Sequence, residues 1–288
     1  MNWQTGISEF LQHIQAGRNA SQNTILAYRN DLGQFSQYLA ATLPEDANWE
    51  SITDETLTRF ISGLSAQNYS NATTARKVAA LKSLFHWMTK QGMLAQDPSV
   101  NLKSPKVEKQ SPRVLSQEEV ERLFNATGNT SPARALRDRA LLEIIYSTGM
   151  RVTEAINLKL TDVDMEHTEV KCAGRGTRNR RAPLTESAVA ALQNYLNQSR
   201  PANATNQPNE FLFLNPAGSN LTRQAVWLMT RQYARYAGIE GEITPHTLRH
   251  SRASHMLQGG EDVRKVQSWL GHANITTTQA YHAKKEKV

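Results

Sequence analysis

Between Pro98 and Pro112 the chain reads PSVNLKSPKVEKQSP, a run with three prolines, four charged side chains and too few apolar residues to line a helix or a strand. Proline fixes φ, lacks an N–H and pushes the residue before it toward extended conformations, so no regular element continues through this stretch. A chain broken in this way is expected to fold as two bodies joined by an extended linker. The reading places a first domain at residues 1–103, the linker at 104–114 and a second domain at 115–288. An apolar content of 39% with 20% charged residues is ordinary for a folded chain of this length.

In the first domain the apolar residues recur at helical spacing. Ile7, Phe10, Leu11 and Ile14 give one stripe between Trp3 and about Gly17. Ser21 then caps a second helix with Ile25, Tyr28, Leu32, Phe35 and Leu39 on one face. Pro44 and the acidic EDANWE turn end it, a third helix follows near Asp54–Leu64, and Asn68 to Asn71 turn into a fourth striped by Val78, Leu81, Phe85 and Met88. The expectation is a small helical bundle. Arg76, Lys77, Lys82 and Lys90 lie on or near the fourth helix, which suits contact with a polyanion and equally suits a solvated face.

The second domain is mixed. Ser116 and Glu119 form a capping box, and a helix over roughly Ala135–Ser147 stops at Thr148-Gly149, immediately before Arg151. Glu154, three residues on, is placed to hold the Arg151 guanidinium. Residues 168–184 read as two short strands around a glycine-rich turn, with Lys171, Arg175, Arg178, Arg180 and Arg181 along them. Such a hairpin suits phosphate, and a merely soluble sheet edge would be basic too. A helix from Thr185 to about Gln198 leads to the polar loop SRPANATNQPNE, expected to be mobile; Phe211–Leu214 reads as a short strand, and Thr222 opens a helix that ends at Gly238.

Charge narrows the partners. Residues 1–103 hold eight basic and eight acidic side chains, so the formal net charge of +7 falls wholly in residues 104–288. This favours a polyanion there, without distinguishing DNA from RNA or an anionic membrane. No run approaches the roughly 18 apolar residues of a membrane span, and MNWQTGISEF lacks the basic and apolar regions of a signal peptide, so a cytoplasmic protein is expected. The single cysteine, Cys172, excludes an internal disulfide and sits in an apolar-alternating run, which predicts a buried small residue. No metal-site spacing is present, and no cofactor is expected.

The chemistry concentrates in TPHTLRHSRASHMLQGGEDVRKVQSWLGHANITTTQAY, from Thr244 to Tyr281. Thr244 caps a helix with Pro245 in its first turn, and His246, Arg249 and His250 at i, i+3 and i+4 share one cationic, donor-rich face. Gly259-Gly260 stops that helix; Val263, Val266 and Leu270 stripe the next, and Gly271 ends it just before His272. Thr276, Thr277 and Thr278 offer caps for a last short helix carrying Tyr281. HTLRH, LGH, Tyr281 in TTTQAYH, and TGMRVTEAINL upstream occur in the order and spacing of the tyrosine site-specific recombinases. The chain resembles that lambda-integrase-like family, and most closely its Xer-type members.

The resemblance implies a mainly α protein of two domains: an N-terminal four-helix SAM-like bundle that binds DNA, and a mixed α+β catalytic domain with a small β-sheet. It implies strand cleavage and rejoining through a 3′-phosphotyrosyl intermediate without metal or ATP, serving chromosome or plasmid dimer resolution or mobile-element movement. Tyr281 is then the nucleophile, Arg151 and Arg249 brace the phosphate, His246 handles the tyrosine proton and His272 adds a donor. Arg76, Lys77, Lys82, Lys171, Arg178, Arg180 and Arg181 are the DNA contacts. The partners are double-stranded DNA, related recombinase subunits in a homo- or hetero-tetramer, and accessory proteins.

One position departs from the family. Its members carry a lysine in the hairpin turn, as G-K-G, to protonate the leaving 5′ oxygen, and this chain has Gly174-Arg175-Gly176. A guanidinium, with a pKa of about 12.5–13.8 against about 10.4 for lysine, is the poorer acid. Lys171, four residues earlier, is a second candidate for that proton. The departure keeps open a DNA-binding protein of this fold that has lost cleavage; a type IB topoisomerase is a further alternative, against which the compact first domain argues.

Overall fold

The computed structural model describes residues 2–17, 21–107, 113–173, 180–200 and 209–271, together with Ile275 and Thr278. Its contacts divide the chain into two compact units, Met1–Gln110 and Ser111–Val288. The mobile loop expected at SRPANATNQPNE falls mostly outside the described residues, as do the caps Thr276 and Thr277.

In the first unit, helices α1 (Trp3–Ala16), α2 (Gln22–Thr42), α3 (Asp54–Ala66) and α4 (Asn71–Lys90) form the bundle. Each starts at an Asn, Ser or Thr whose side chain accepts an otherwise orphaned N–H: Asn2, Ser21, Thr53 and Ser70. Leu32, Phe35, Leu39, Leu57, Val78, Leu81, Leu84, Phe85 and Met88 fill the centre, none more than 1% exposed. Trp49, in the turn that reads as merely acidic, is also buried; its ring meets Trp3 edge-on with centroids 4.9 Å apart. Gly6 makes room for it, since a Cβ there would lie 2.9 Å from Trp49 Nε1.

The second unit is built around α6 (Pro132–Thr148), in which Ala140, Leu141, Leu142, Ile144 and Ile145 are fully buried. It follows α5 (Gln117–Asn125) and precedes the short α7 (Val152–Ile156). Strands β1 (Val163–Asp164), β2 (Glu169–Cys172) and β3 (Arg180–Pro183) make one antiparallel sheet in the order β1-β2-β3. Helices α8 (Glu186–Asn194), α9 (Arg223–Tyr236), α10 (Pro245–Gln258) and α11 (Val263–Leu270) complete the described α-helices, and α6 packs against both α8 and α10.

Three expectations need correction. Phe211–Leu214 is not a strand: only isolated bridges link Lys159 to Phe211 and Leu214 to Asn220. Its carbonyls are taken instead by a side chain, because Arg200 donates to the oxygens of Asn209, Phe211 and Leu212. The sheet has a third strand, β1, too short for any periodicity to reveal. The helix after Thr185 gives way at Tyr195–Ser199 to a wider π-type turn, where the Ser199 hydroxyl donates to the Ala133 carbonyl.

Candidate active site

Helix α10 presents the HTLRH residues. Thr244 accepts from the Thr247 N–H while the Thr247 hydroxyl accepts from the Thr244 N–H, and Pro245 occupies the first turn. That start fixes the helix phase, and with it the directions of His246 and Arg249. Arg249 is 4% exposed. One of its terminal nitrogens donates to the Gly149 carbonyl and the other, at 2.6 Å, to the Leu270 carbonyl. Both acceptors end helices in left-handed turns: Gly149 closes α6 at φ 60°, and Leu270 precedes Gly271, which closes α11 at φ 65°. A single guanidinium thus ties together the turn before Arg151 and the turn before His272.

Arg151 begins α7. Glu154 Oε2 accepts its backbone N–H at 2.9 Å, and Glu154 Oε1 accepts from its guanidinium at 2.9 Å. The contact predicted from sequence is therefore formed, by a carboxylate only 8% exposed, while the Arg151 side chain keeps 41% of its surface open. His246 lies at the surface, yet neighbouring protein disfavours its charged form and the charges of Arg249 and Arg151 add to this, so its pKa is lowered. Arg249 holds the Gly149 carbonyl two residues before Arg151, and His246 precedes Arg249 by one turn of α10, so the two helix starts that carry these side chains are joined at this point. His250 is half-buried, and burial first, then His246 and Arg249, push its pKa down to about 4.

The hairpin residues divide by strand face. Lys171 pairs with Arg181, and Cys172 with Arg180. Successive side chains alternate, so Lys171 and Arg181 point outward; Arg181 is 65% exposed and lies 3.4 Å from Glu169. Lys171 is therefore not on the face that looks toward Glu154. Arg180 is. Its side chain is only 14% exposed, with a terminal nitrogen 3.4 Å from Glu154 Oε2. Cys172 beside it is fully buried, and burial pushes its thiol up to about 11.

In the first unit Lys77 is not on a solvated face. Its ammonium is buried, 2.9 Å from Asp31 Oδ1 and 2.6 Å from the Gln34 side-chain oxygen. Arg76 pairs with the other Asp31 oxygen and keeps 42% of its side chain open. Lys82 is half-buried and donates to the Val100 carbonyl at 3.3 Å. Four named residues, Arg175, Arg178, His272 and Tyr281, lie outside the described residues. Among the described residues no cluster of His, Cys, Asp and Glu is arranged to hold a metal ion, and no helix is long and apolar enough to cross a membrane. Sequence reasoning missed Trp269, whose ring covers Gly149, and the inward turn of Arg180.

Residues 113–287 match the phage integrase family model, and residues 7–92 match the model for the phage integrase N-terminal SAM-like domain. The chain belongs to the phage integrase family of tyrosine recombinases. Among curated relatives of this recombinase, a tyrosine recombinase XerC of Roseiflexus sp. (strain RS-1) is 42% identical, covering 96% of this chain and 88% of that protein. A tyrosine recombinase XerD of Listeria monocytogenes is 38% identical, with 96% and 92% covered. Among solved structures, the XerH site-specific recombinase in a post-cleavage complex with a palindromic difH substrate superposes with a TM-score of 0.76 at 26% identity, covering 96% of this chain and 80% of that one. A DNA-bound lambda integrase dimer shares the fold at 18% identity, with a TM-score of 0.74 and coverage of 99% and 96%.

Proposed function

We propose that this recombinase cuts and rejoins double-stranded DNA at specific sites, with Tyr281 as nucleophile and Arg151, Arg249, His246 and His272 around the scissile phosphate. The Tyr281 oxygen bonds to phosphorus as the bond to the 5′ oxygen breaks; His246 takes the phenolic proton and the departing oxygen gains one. A 5′ hydroxyl from the partner strand then reverses these bonds, so the phosphodiester energy is conserved without ATP. Arg151 and Arg249 oppose the charge that grows on the non-bridging oxygens. The lowered pKa of His246 keeps it neutral and able to accept a proton near pH 7.

The observation that carries this reading is the Arg249 guanidinium held on the Gly149 carbonyl, two residues before Arg151 and 100 residues away in sequence, with His246 one turn before Arg249 on α10. The XerH complex, whose DNA has been cut, supports DNA as the substrate. Arg76, Lys82, Lys171, Arg178 and Arg181 are assigned to phosphates along the duplex, with residues 1–103 and 115–288 as its two DNA-binding domains and 104–114 between them. Assembly is as a tetramer on two sites, with itself or a related recombinase and with accessory proteins, in the cytoplasm, for dimer resolution or mobile-element movement.

A second reading, binding without cleavage, is favoured by Gly174-Arg175-Gly176. One experiment separates the two. The protein is incubated with a nicked duplex bearing candidate sites, with either the ordinary 5′ oxygen or a bridging 5′ sulfur that departs without a proton, and run on a denaturing gel. Covalent adduct on the oxygen substrate, lost in Tyr281→Phe with binding retained, is the expected result. Adduct on the sulfur substrate alone, restored on oxygen by Arg175→Lys, means that proton delivery is what the arginine lacks. No adduct on either, with tight binding, sinks the cleavage reading.

A further inference from the structure

Arg180 was grouped by sequence with the outward DNA contacts, and its surroundings are those of a different kind of residue. It opens β3 directly across from Cys172, on the inner face of the hairpin, with 14% of its side chain exposed against 65% for its neighbour Arg181. Its terminal nitrogen approaches Glu154 Oε2, the same oxygen that accepts the Arg151 backbone N–H, while the other Glu154 oxygen holds the Arg151 guanidinium. A second terminal nitrogen lies 3.6 Å from where a Cβ on Gly271 would be, beside the turn that leads to His272. Two guanidiniums therefore share one carboxylate that is 8% exposed.

Arg180 Nε is buried and has no hydrogen-bond partner among the described residues. An arginine that served only as a sheet-edge cation would turn outward as Arg181 does.

Resting on the assignment of Arg151 to the scissile phosphate, we propose that Arg180 is a positioning residue for strand cleavage: by holding Glu154 it aims the Arg151 guanidinium. Through it the hairpin that carries Arg175 is coupled to the phosphate-binding turn. With Arg180 in place, Glu154 is fixed from two sides and cannot rotate away with Arg151 when charge develops on the phosphate. Without it, Glu154 has a single cationic partner in this group and the pair is free to follow the phosphate or solvent. A displacement of about 1 Å in a positioning group costs on the order of 10²-fold in rate. Arg180 meets no reacting atom in this scheme, so DNA affinity should be nearly untouched.

The test is a double-mutant cycle on the full-length protein with the nicked duplex, using Arg180→Met, Glu154→Gln and the pair. Single-turnover adduct formation, DNA affinity and thermal melting are measured for each. Arg180→Met is expected to slow adduct formation by roughly 10- to 100-fold with affinity and melting little changed. Arg180→Lys, which keeps the charge, should recover most of the rate. In the Glu154→Gln background the same Arg180→Met change should have little further effect. Equal slowing in both backgrounds, or a loss that follows affinity, overturns the proposal. If Arg180→Met does not fold, Arg180→Gln enters the cycle with the same criteria. Arg151→Ala is the control for the underlying assignment: if it cleaves normally, both readings fall, whereas abolished cleavage together with an additive cycle removes only the role of Arg180.

Discussion

Gly149 illustrates how much one residue can carry at this site. Its φ of 60° is a conformation that disfavours side chains, its carbonyl receives Arg249, and an added Cβ would lie 2.5 Å from the Trp269 ring. Gly149→Ala should therefore cost about 2–4 kcal/mol, from left-handed strain plus overpacking. At about 2–4 °C per kcal/mol for a unit of this size, the melting transition should fall by roughly 5–15 °C, with loss of cleavage. Shortening the obstacle by Trp269→Leu should return part of both. A Gly149→Ala protein with unchanged melting and cleavage would contradict the packing described. The break at Thr148-Gly149 was legible because glycine after a helical stripe is a local signal; the ring that closes over it comes from 120 residues away and left no trace nearby. Arg151, His246 and Arg249 could be singled out from sequence because the motifs that carry them are local and specific. The burial of Arg180 and Lys77 was not legible for a common reason: a basic residue faces in or out according to a partner, Glu154 or Asp31, that only the folded chain brings near.

At the scale of elements, helices were easier to read than strands. Stripe and cap are both local, so the helices of the first unit emerged with small errors at their ends, whereas a two-residue strand such as β1 exists only through its partner. Helix α10 carries a property of its own. Partial burial lowers the pKa of His250 and His255, with His250 reaching about 4. An unfolded histidine takes up its proton near pH 6.5, and the folded one resists until lower pH. Their stabilising effect is therefore complete above about pH 6.5 and is lost as pH falls from there toward 4. Melting temperature should drop over that window, less steeply in His250→Gln. A melting temperature that is flat or rises on acidification would show that the fold does not favour the neutral form of His250 and His255.

For the whole molecule, the linker expected at 104–114 rests on prolines and charges that exclude regular structure, and the expected polyanion partner rests on a charge that is uneven along the chain. All of the +7 lies beyond residue 103, so binding to DNA should weaken steeply with salt. For six to ten phosphate contacts, affinity should fall by about 10³–10⁵ between roughly 50 and 200 mM. A fluorescence titration showing less than tenfold change would mean that few phosphates are neutralised. Residues 1–103 have no net charge to contribute, and their basic face depends on Asp31, a carboxylate 3% exposed that is gripped by Arg76 and Lys77 together. Two cations on one buried anion make one of them expendable: when a polyanion draws the half-open Arg76 outward, Lys77 stays, and no bare charge is stranded in the bundle. The surface of α4 is in this sense insulated from its interior, free to change its ionic company while the helices beneath it stay as they were.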